Sequence, residues 1–184
     1  RRQRQMCIRD RNSSGVSLLN DCKYGYSIKK GDMSLTLIKS GTYPNEDADI
    51  GEHRFTYSIY PHAGRWQEAK TVEMAYNLNV PMPVKRIGKQ KGCGEEYDSF
   101  LHCDKESCFI EVIKKAEDGD GVIVRMYENK NNRVRAHITS GRALVHVYEC
   151  NLLEEKEAEL TVCGTTFETV FKPYEIKTFR LIFA

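Results

Sequence analysis

Between Ala48 and His62 the chain reads ADIGEHRFTYSIYPH, which gathers Asp49, Glu52, His53 and His62 around the rings of Phe55, Tyr57 and Tyr60. Carboxylates and imidazoles in such density could bind a metal or move protons, and the rings could stack on a sugar. Spacing weighs against a shared centre. His53 and His62 would stand about 30 Å apart in an extended chain, so they meet at one ion only if the chain turns back. Asp49, Glu52 and His53 can approach one another around Gly51, yet a turn leading into a strand explains the same residues. Glycoside hydrolysis by paired carboxylates needs two carboxyl groups about 5–9 Å apart across a sugar-sized cleft, and nothing in the spacing of Asp47 and Asp49 sets that distance. The two histidines therefore read first as hydrogen-bonded packing or rim residues.

Other chemistry is equally sparse. The chain has seven cysteines, an odd number, and no basic, apolar and small-residue leader at its start, which argues against a secreted disulfide framework and fits the cytoplasm. Cys93, Cys103 and Cys108, with His102, have donor types that suit zinc, but no C-x-x-C pair supplies a chelating knuckle; they read as structural thiols. Nucleophile-elbow, H-E-x-x-H, P-loop and dinucleotide-binding patterns are absent. The acidic run Glu117 to Asp120 lacks the glutamate that closes an EF-hand loop.

The elements around these residues follow a period of two. In HRFTYSIY, Phe55, Tyr57 and Ile59 share one face, expected to be the buried one. Met33, Leu35 and Leu37 alternate after a turn at Lys30-Gly31-Asp32. FIEVIKKAEDGDGVIVRMYE is two strands joined across a glycine-bearing turn, a β-hairpin. RVRAHIT, ALVHVYEC, AELTV, TFETVF and EIKTFRLIF follow at short intervals, with Phe167, Thr169 and Phe171, and then Phe179, Leu181 and Phe183, on common faces. NLLEEKEAEL has helical spacing available to it, but its charges read better as a solvated face between strands. One stretch departs from this period: Trp66, Ala69, Val72, Glu73 and Tyr76 recur every three or four residues, predicting a short helix or irregular crossover near 64–77. It ends before Pro81 and Pro83, which lack amide hydrogens. The pattern predicts an all-β chain with an incomplete β-supersandwich segment over 15–80, a linker or long loop over 81–98, and a C-terminal antiparallel β-sandwich over 99–184.

Charge sets the first residues apart. Five arginines and one aspartate occupy positions 1–11, and without them 23 bases and 25 acids remain, a net of −2. Residues 1–14 are thus expected to be a non-native or disordered Arg-rich tail, such as a sequence-assembly scar, outside the fold. An arginine arm could bind phosphates, and that reading would require phosphate affinity to vanish when residues 1–11 are removed. Hydrophobic residues at 40% and charged residues at 29% are ordinary for a globular chain, and no apolar run is long enough to cross a bilayer as a helix.

Several stretches taken together are more specific. GVSLLNDCKYGYSIKKGDMSLTLIKS, ADIGEHRFTYSIYPHAGRWQEA and AYNLNVP resemble the C-terminal β-domain of the α-mannosidases of glycoside hydrolase family 38. SFLHCDKESCFIEVIKKAEDGDGVIVRMYE, YECNLLEE and FKPYEIKTFRL resemble the final β-sandwich of the same enzymes, especially their bacterial and cytosolic branch. The likeness runs in order from about Gly15 to Phe183.

That resemblance implies retaining hydrolysis of terminal α-D-mannosyl residues by an N-terminal α/β-barrel that carries zinc or another divalent metal, an aspartate nucleophile and a carboxylic general acid, followed by a helical bundle. It assigns no catalytic residue and no metal ligand to this sequence, so a C-terminal fragment of this kind is expected to be inactive alone. Its partners would be the barrel and bundle of the same polypeptide and, through the parent enzyme, mannosides; neither nucleic acid nor membrane is implied. Residues suited to the rim of the sugar cleft or to the interface with those domains are Asn20, Asp21, Lys23 and Tyr24 in NDCKYGY, with His53 and His62. The competing reading is a self-sufficient carbohydrate-binding β-sandwich without catalysis, which predicts a shallow aromatic groove and measurable affinity for mannosides.

Overall fold

A computed structural model describes residues 5–9, 14–89, 91–92 and 98–184. The chain divides into two compact units, residues 1–88 and 89–184, and its described elements are almost entirely antiparallel strands, as the period of two predicts.

In the first unit, strands β1 (Gln5–Arg9), β2 (Ser14–Asn20), β3 (Tyr26–Lys29), β4 (Asp32–Leu35) and β5 (Tyr57–Ala63) precede a single helix, α1 (Thr71–Asn79). β1, β2 and β5 form one sheet with β2 at its centre, and β3 and β4 form a separate hairpin. The hairpin turns at Lys30 and Gly31, both at positive φ, the backbone state that a two-residue primed turn demands. The expectation of a tail outside the fold over 1–14 is corrected over Gln5–Arg9, which pairs with β2 from Gln5 opposite Leu19 to Arg9 opposite Gly15. Edge pairing is made by backbone groups, so a stretch without an apolar period can still complete a sheet. Residues 1–4 and 10–13 lie outside the described residues.

β5 corrects a second expectation. Its alternation is real, but Tyr57 and Ile59 are 55% and 63% exposed, whereas Ser58, Tyr60 and His62 are the half-buried set. The covered face is the one on which α1 lies. The helix also differs from its predicted stripe: Trp66 and Ala69 sit in the turns before it, Lys70 enters it at positive φ, and its buried residues are Thr71, Val72 and Ala75. It stops at Asn79, before the prolines. Residues 81–89 carry no helix or strand, and residues 90 and 93–97, within the expected linker, lie outside the described residues.

The second unit holds β6 (Leu101–Cys103), β7 (Cys108–Lys115), β8 (Val122–Glu128), β9 (Val134–Ser140), β10 (Leu144–Cys150), β11 (Lys156–Leu160), β12 (Val162–Cys163), β13 (Thr166–Phe171) and β14 (Ile176–Phe183). They make a five-stranded sheet ordered β11-β10-β14-β8-β7 and a four-stranded sheet ordered β12-β13-β9-β6. The predicted hairpin is β7–β8. Gly121 closes it at φ 86°, where an added Cβ would lie 2.6 Å from the Leu181 carbonyl oxygen; no side chain fits there.

The core lies between the two sheets and includes Val124, Met126, Ile138, Phe167, Phe171, Phe179 and Leu181. Phe179 of one sheet meets Phe167 and Phe171 of the other with ring centroids 5.3 and 6.4 Å apart, tilted geometries that aromatic pairs favour. NLLEEKEAEL forms a turn and then β11, without a helix. No helix among the described residues is long and apolar enough to cross a membrane.

Candidate functional site

The C-terminal end of β2 holds most of the residues singled out from the sequence. Asn20 is buried at the last position of the strand, and its Oδ1 accepts the Lys23 amide hydrogen at 2.7 Å. That side-chain-to-backbone bond closes the turn and explains why asparagine stands where the strand must reverse. Helix α1 supports the same corner: Asn79 Nδ2 donates to the Asn20 carbonyl oxygen at 3.2 Å and to that of Ala75 at 2.9 Å.

Asp21 then reaches the segment before β5. Its amide donates to the Thr56 carbonyl oxygen at 3.2 Å, and its Oδ2 accepts the Thr56 amide hydrogen at 2.9 Å. Hydrogen bonds from the Cys22 side chain and the Thr56 backbone hold the Asp21 carboxyl below its ordinary range. Lys23 places its ammonium 4.5 Å from the centre of the Phe55 ring, a cation–π contact. Tyr24 is 71% exposed. Asn20, Asp21 and Lys23 are therefore brought together with Phe55 and Thr56 into one polar corner with an exposed tyrosine beside it.

The histidines do not converge. His53 Nε2 donates to the Asp49 carbonyl oxygen at 2.9 Å, closing the loop around Gly51. His62 lies in β5 opposite Gly15, about five strand residues, or about 17 Å, from the Asn20 end of β2. Its Nε2 is 3.0 Å from Ser17 Oγ, which lies 3.4 Å from Thr71 Oγ1. A Cβ on Gly15 would stand 2.3 Å from the imidazole Cε1, so glycine provides the seat on which the ring lies. Tyr60 continues this face, its hydroxyl donating to the Ala69 carbonyl oxygen at 2.9 Å.

A serine bonded to a histidine invites comparison with a nucleophile and its base. Ser17, however, has no exposed surface, and among the described residues no carboxylate hydrogen bond orients the His62 ring. The set fastens the turn before α1 and the start of the helix to the sheet.

Among the described residues, no group of three or more His, Cys, Asp or Glu side chains is placed to hold a metal ion. In the polar corner Asp21 is engaged by Thr56 and Lys23 by the Phe55 ring, and among the described residues the corner contains no second carboxylate placed for displacement at a sugar carbon.

Sequence reasoning missed one polar centre, in the second unit. Arg180, 5% exposed on β14, donates from Nη1 to Asp118 Oδ2 at 2.6 Å and to the Asp120 carbonyl oxygen at 3.2 Å, and from Nη2 to the Glu154 carbonyl oxygen at 3.0 Å. Glu154 in turn accepts the Glu117 amide hydrogen at 3.0 Å and pairs with Lys114 at 2.7 Å. This network ties the β7–β8 turn to the β10–β11 turn beside a cleft of about 420 Å³. Excess acid in a hairpin turn, with Arg180 between Phe179 and Leu181 in a strand, was the available signal.

Comparison with known proteins agrees with this architecture. The family model for the glycosyl hydrolases family 38 C-terminal beta sandwich domain matches residues 108–179, and that for the family 38 C-terminal domain matches residues 2–47. The second match thus takes in the Arg-rich segment. Alpha-mannosidase G of Dictyostelium discoideum is 37% identical over 91% of this chain, and alpha-mannosidase 2C1 of Mus musculus is 29% identical over 91%. Alpha-mannosidase of Saccharomyces cerevisiae is 30% identical over 93%. The chain spans only 16–18% of the length of these relatives. A crystal structure of a glycosyl hydrolase family 38 protein from Enterococcus faecalis superposes over 97% of this chain and 22% of its own with a TM-score of 0.76 at 19% identity, a likeness of fold. The chain belongs to glycoside hydrolase family 38, as the C-terminal β-domain region of that family.

Proposed function

We propose that this β-region supports the catalytic barrel of an α-mannosidase that removes terminal α-D-mannosyl residues with retention, and that it is inactive alone. The observation that carries the proposal is the pair of family-model matches to C-terminal domains, joined to relatives named alpha-mannosidases. Its partners are an α/β-barrel and helical bundle in the same polypeptide, with mannosides bound by the assembled enzyme; neither nucleic acid nor a membrane is a partner.

Zinc, or another divalent ion, belongs to that barrel. The described residues of this chain do not fit such a centre, because His53 and His62 are each bonded elsewhere and stand apart. No step of the hydrolysis is assigned to them. Asn20, Asp21, Lys23, Tyr24, His53 and His62 act as interdomain or cleft-rim residues. The exposed Tyr57 and Ile59 support contact with neighbouring domains, since apolar groups side by side on a sheet are stabilised by cover. The five described free thiols fit a cytoplasmic setting.

The test is an assay of this chain on an aryl α-mannoside with zinc or cobalt supplied. The expected result is turnover no faster than buffer, with activity restored when the same β-region is carried by a complete polypeptide. Turnover by the chain alone overturns the reading. Saturable binding of mannosides by the inactive chain would instead establish the stand-alone carbohydrate-binding module.

A further inference from the structure

The outer face of β14 is roofed by the turn between β10 and β11. Phe179 and Leu181 enter the core, so Thr178 and Arg180, which alternate with them, point away from it. Thr178 stands opposite Cys150 of β10 on one side and Arg125 of β8 on the other. The roof is braced by its own polar groups. Asn151 Oδ1 accepts the Leu153 and Glu155 amide hydrogens at 2.9 and 3.1 Å, and Arg125 Nη2 donates to the Leu152 carbonyl oxygen at 2.8 Å.

A cleft of about 460 Å³ opens beside this turn, a volume typical of small-molecule sites. Leu152, Leu153 and Ile176 give it apolar walls, and Glu157 and Glu175 line it. Its remaining acid, Glu149, is already held by Lys177 Nζ at 2.8 and 3.0 Å. Thr178 also lines the cleft. It is only 2% exposed, and its hydroxyl has no hydrogen-bond partner. A buried hydroxyl is rarely left unsatisfied, so a donor that enters the cleft supplies what the fold does not.

The lining also selects what can enter. No base other than Lys177 lines the cleft, and with that lysine committed to Glu149 the charges of Glu157 and Glu175 favour a cation. No aromatic ring lines it either, which removes the stacking surface that suits a sugar. The cleft on the other side of the turn differs, because there Lys156 and Arg180 already pair with Asp118 and Asp120.

We propose that the cleft beside Thr178 binds a linear aliphatic amine, a diamine or polyamine, independently of mannoside hydrolysis. The methylenes lie against Leu152, Leu153 and Ile176, the ammonium groups donate to Glu157 and Glu175, and one N–H donates to Thr178 Oγ1. Glu175 retains capacity for this, since its Oε2 accepts only the Lys172 amide hydrogen, at 2.7 Å.

Isothermal titration calorimetry of the 184-residue chain with putrescine tests the proposal, beside diacetylputrescine and methyl α-mannoside. Putrescine is expected to saturate a single site, and diacetylputrescine, which lacks the charge, to leave no heat of binding. Replacing both rim acids, Glu157→Gln with Glu175→Gln, should weaken putrescine about tenfold or more. Thr178→Val keeps the shape and removes a hydroxyl that has no partner in the fold, so unfolding stability should not fall while affinity drops about threefold or more. Failure to saturate overturns the proposal, as does equal binding of diacetylputrescine or displacement of putrescine by the mannoside. Undiminished affinity in the rim variant overturns it too. If that variant does not fold, Thr178→Val decides alone: unchanged affinity there places the amine elsewhere on the surface and overturns the site.

Discussion

The two units place their apolar residues differently. In the second, two sheets face each other and enclose Val124, Met126, Ile138, Phe171, Phe179 and Leu181, none with any exposed surface. Among the described residues of the first, the buried apolar set is Leu18, Leu19, Val72 and Ala75, while Tyr24, Tyr26, Ile28, Tyr57 and Ile59 are exposed. A sheet is stable when its apolar face is covered. One unit supplies that cover from its own strands; the other supplies one short helix for one face. The contrast separates a core enclosed between two sheets from a sheet whose described apolar residues stand largely exposed.

The largest effect that would sharpen this comparison is the truncation of Phe179. Its ring joins the two sheets through Phe167 and Phe171, so Phe179→Ala removes contacts from both layers and leaves a cavity. The expected loss is about 3–5 kcal/mol, a large part of the stability of a small domain. Hydrogen exchange across β8, β13 and β14 should rise together, because the core opens as a cooperative unit. A change of under about 1 kcal/mol in denaturant unfolding would show that the sandwich does not depend on its inter-sheet ring cluster.

How much of this was legible in the sequence follows from what periodicity encodes. The β7–β8 hairpin was plain, because two alternating runs flanked a turn with glycines at the positions that need positive φ. Phe167 and Phe171 were legible as one face for the same reason. In β5, alternation correctly grouped Tyr57 with Ile59 but misassigned the covered side, because a period of two says which residues share a face and is silent on which face a helix will lie upon. The turn at Asn20 was readable as a turn, whereas the reach of Asp21 to Thr56 is a contact between distant segments that no local pattern records. Arg180 illustrates the same limit: as a charge in a strand it reads as solvent-facing, and only the fold of the two turns reveals the acceptors that bury it.

A smaller effect tests the polar outer surface of the sandwich. His137 lies between two carboxylates, with Nδ1 3.1 Å from Asp104 Oδ2 and Nε2 3.1 Å from Glu168 Oε2. Both nitrogens can donate only when the ring is protonated. The bond to Asp104 and the two carboxylate charges raise its pKa above 6.5. Lys105 and Arg135 pair with the same two carboxylates and moderate the effect. Since the folded state binds the proton more tightly, the stabilisation is fully present below the unfolded value of 6.5 and is lost as pH rises through the higher folded value. Desolvation works against ionisation of Asp104, but its bonds to Lys105 and His137 prevail and hold its pKa below 3.8; its contribution is present above that value and lost in acid. Unfolding midpoints measured from pH 5 to 9 should therefore fall through the upper part of that range in the unaltered chain. His137→Gln should remove that slope while leaving the acid limb in place. An unchanged slope in the variant would assign it to other groups.

The smallest expected change in stability carries the sharpest statement about the first unit. Tyr57 and Ile59 lie on the uncovered side of β5, and replacing both with serine removes little packing from the isolated chain. Serine also suits an exposed strand face without adding charge. Unfolding stability should stay within about 0.5 kcal/mol of the unaltered chain, while self-association at high concentration, followed by light scattering, should decrease because the exposed apolar patch is smaller. The same double substitution in a complete polypeptide should lower thermal stability, because there the two side chains lose a partner surface as well as water. Equal and small effects in both settings would place Tyr57 and Ile59 on an outer surface of the assembled enzyme, and the first unit would then have to find its cover elsewhere, through Tyr24, Tyr26 and Ile28.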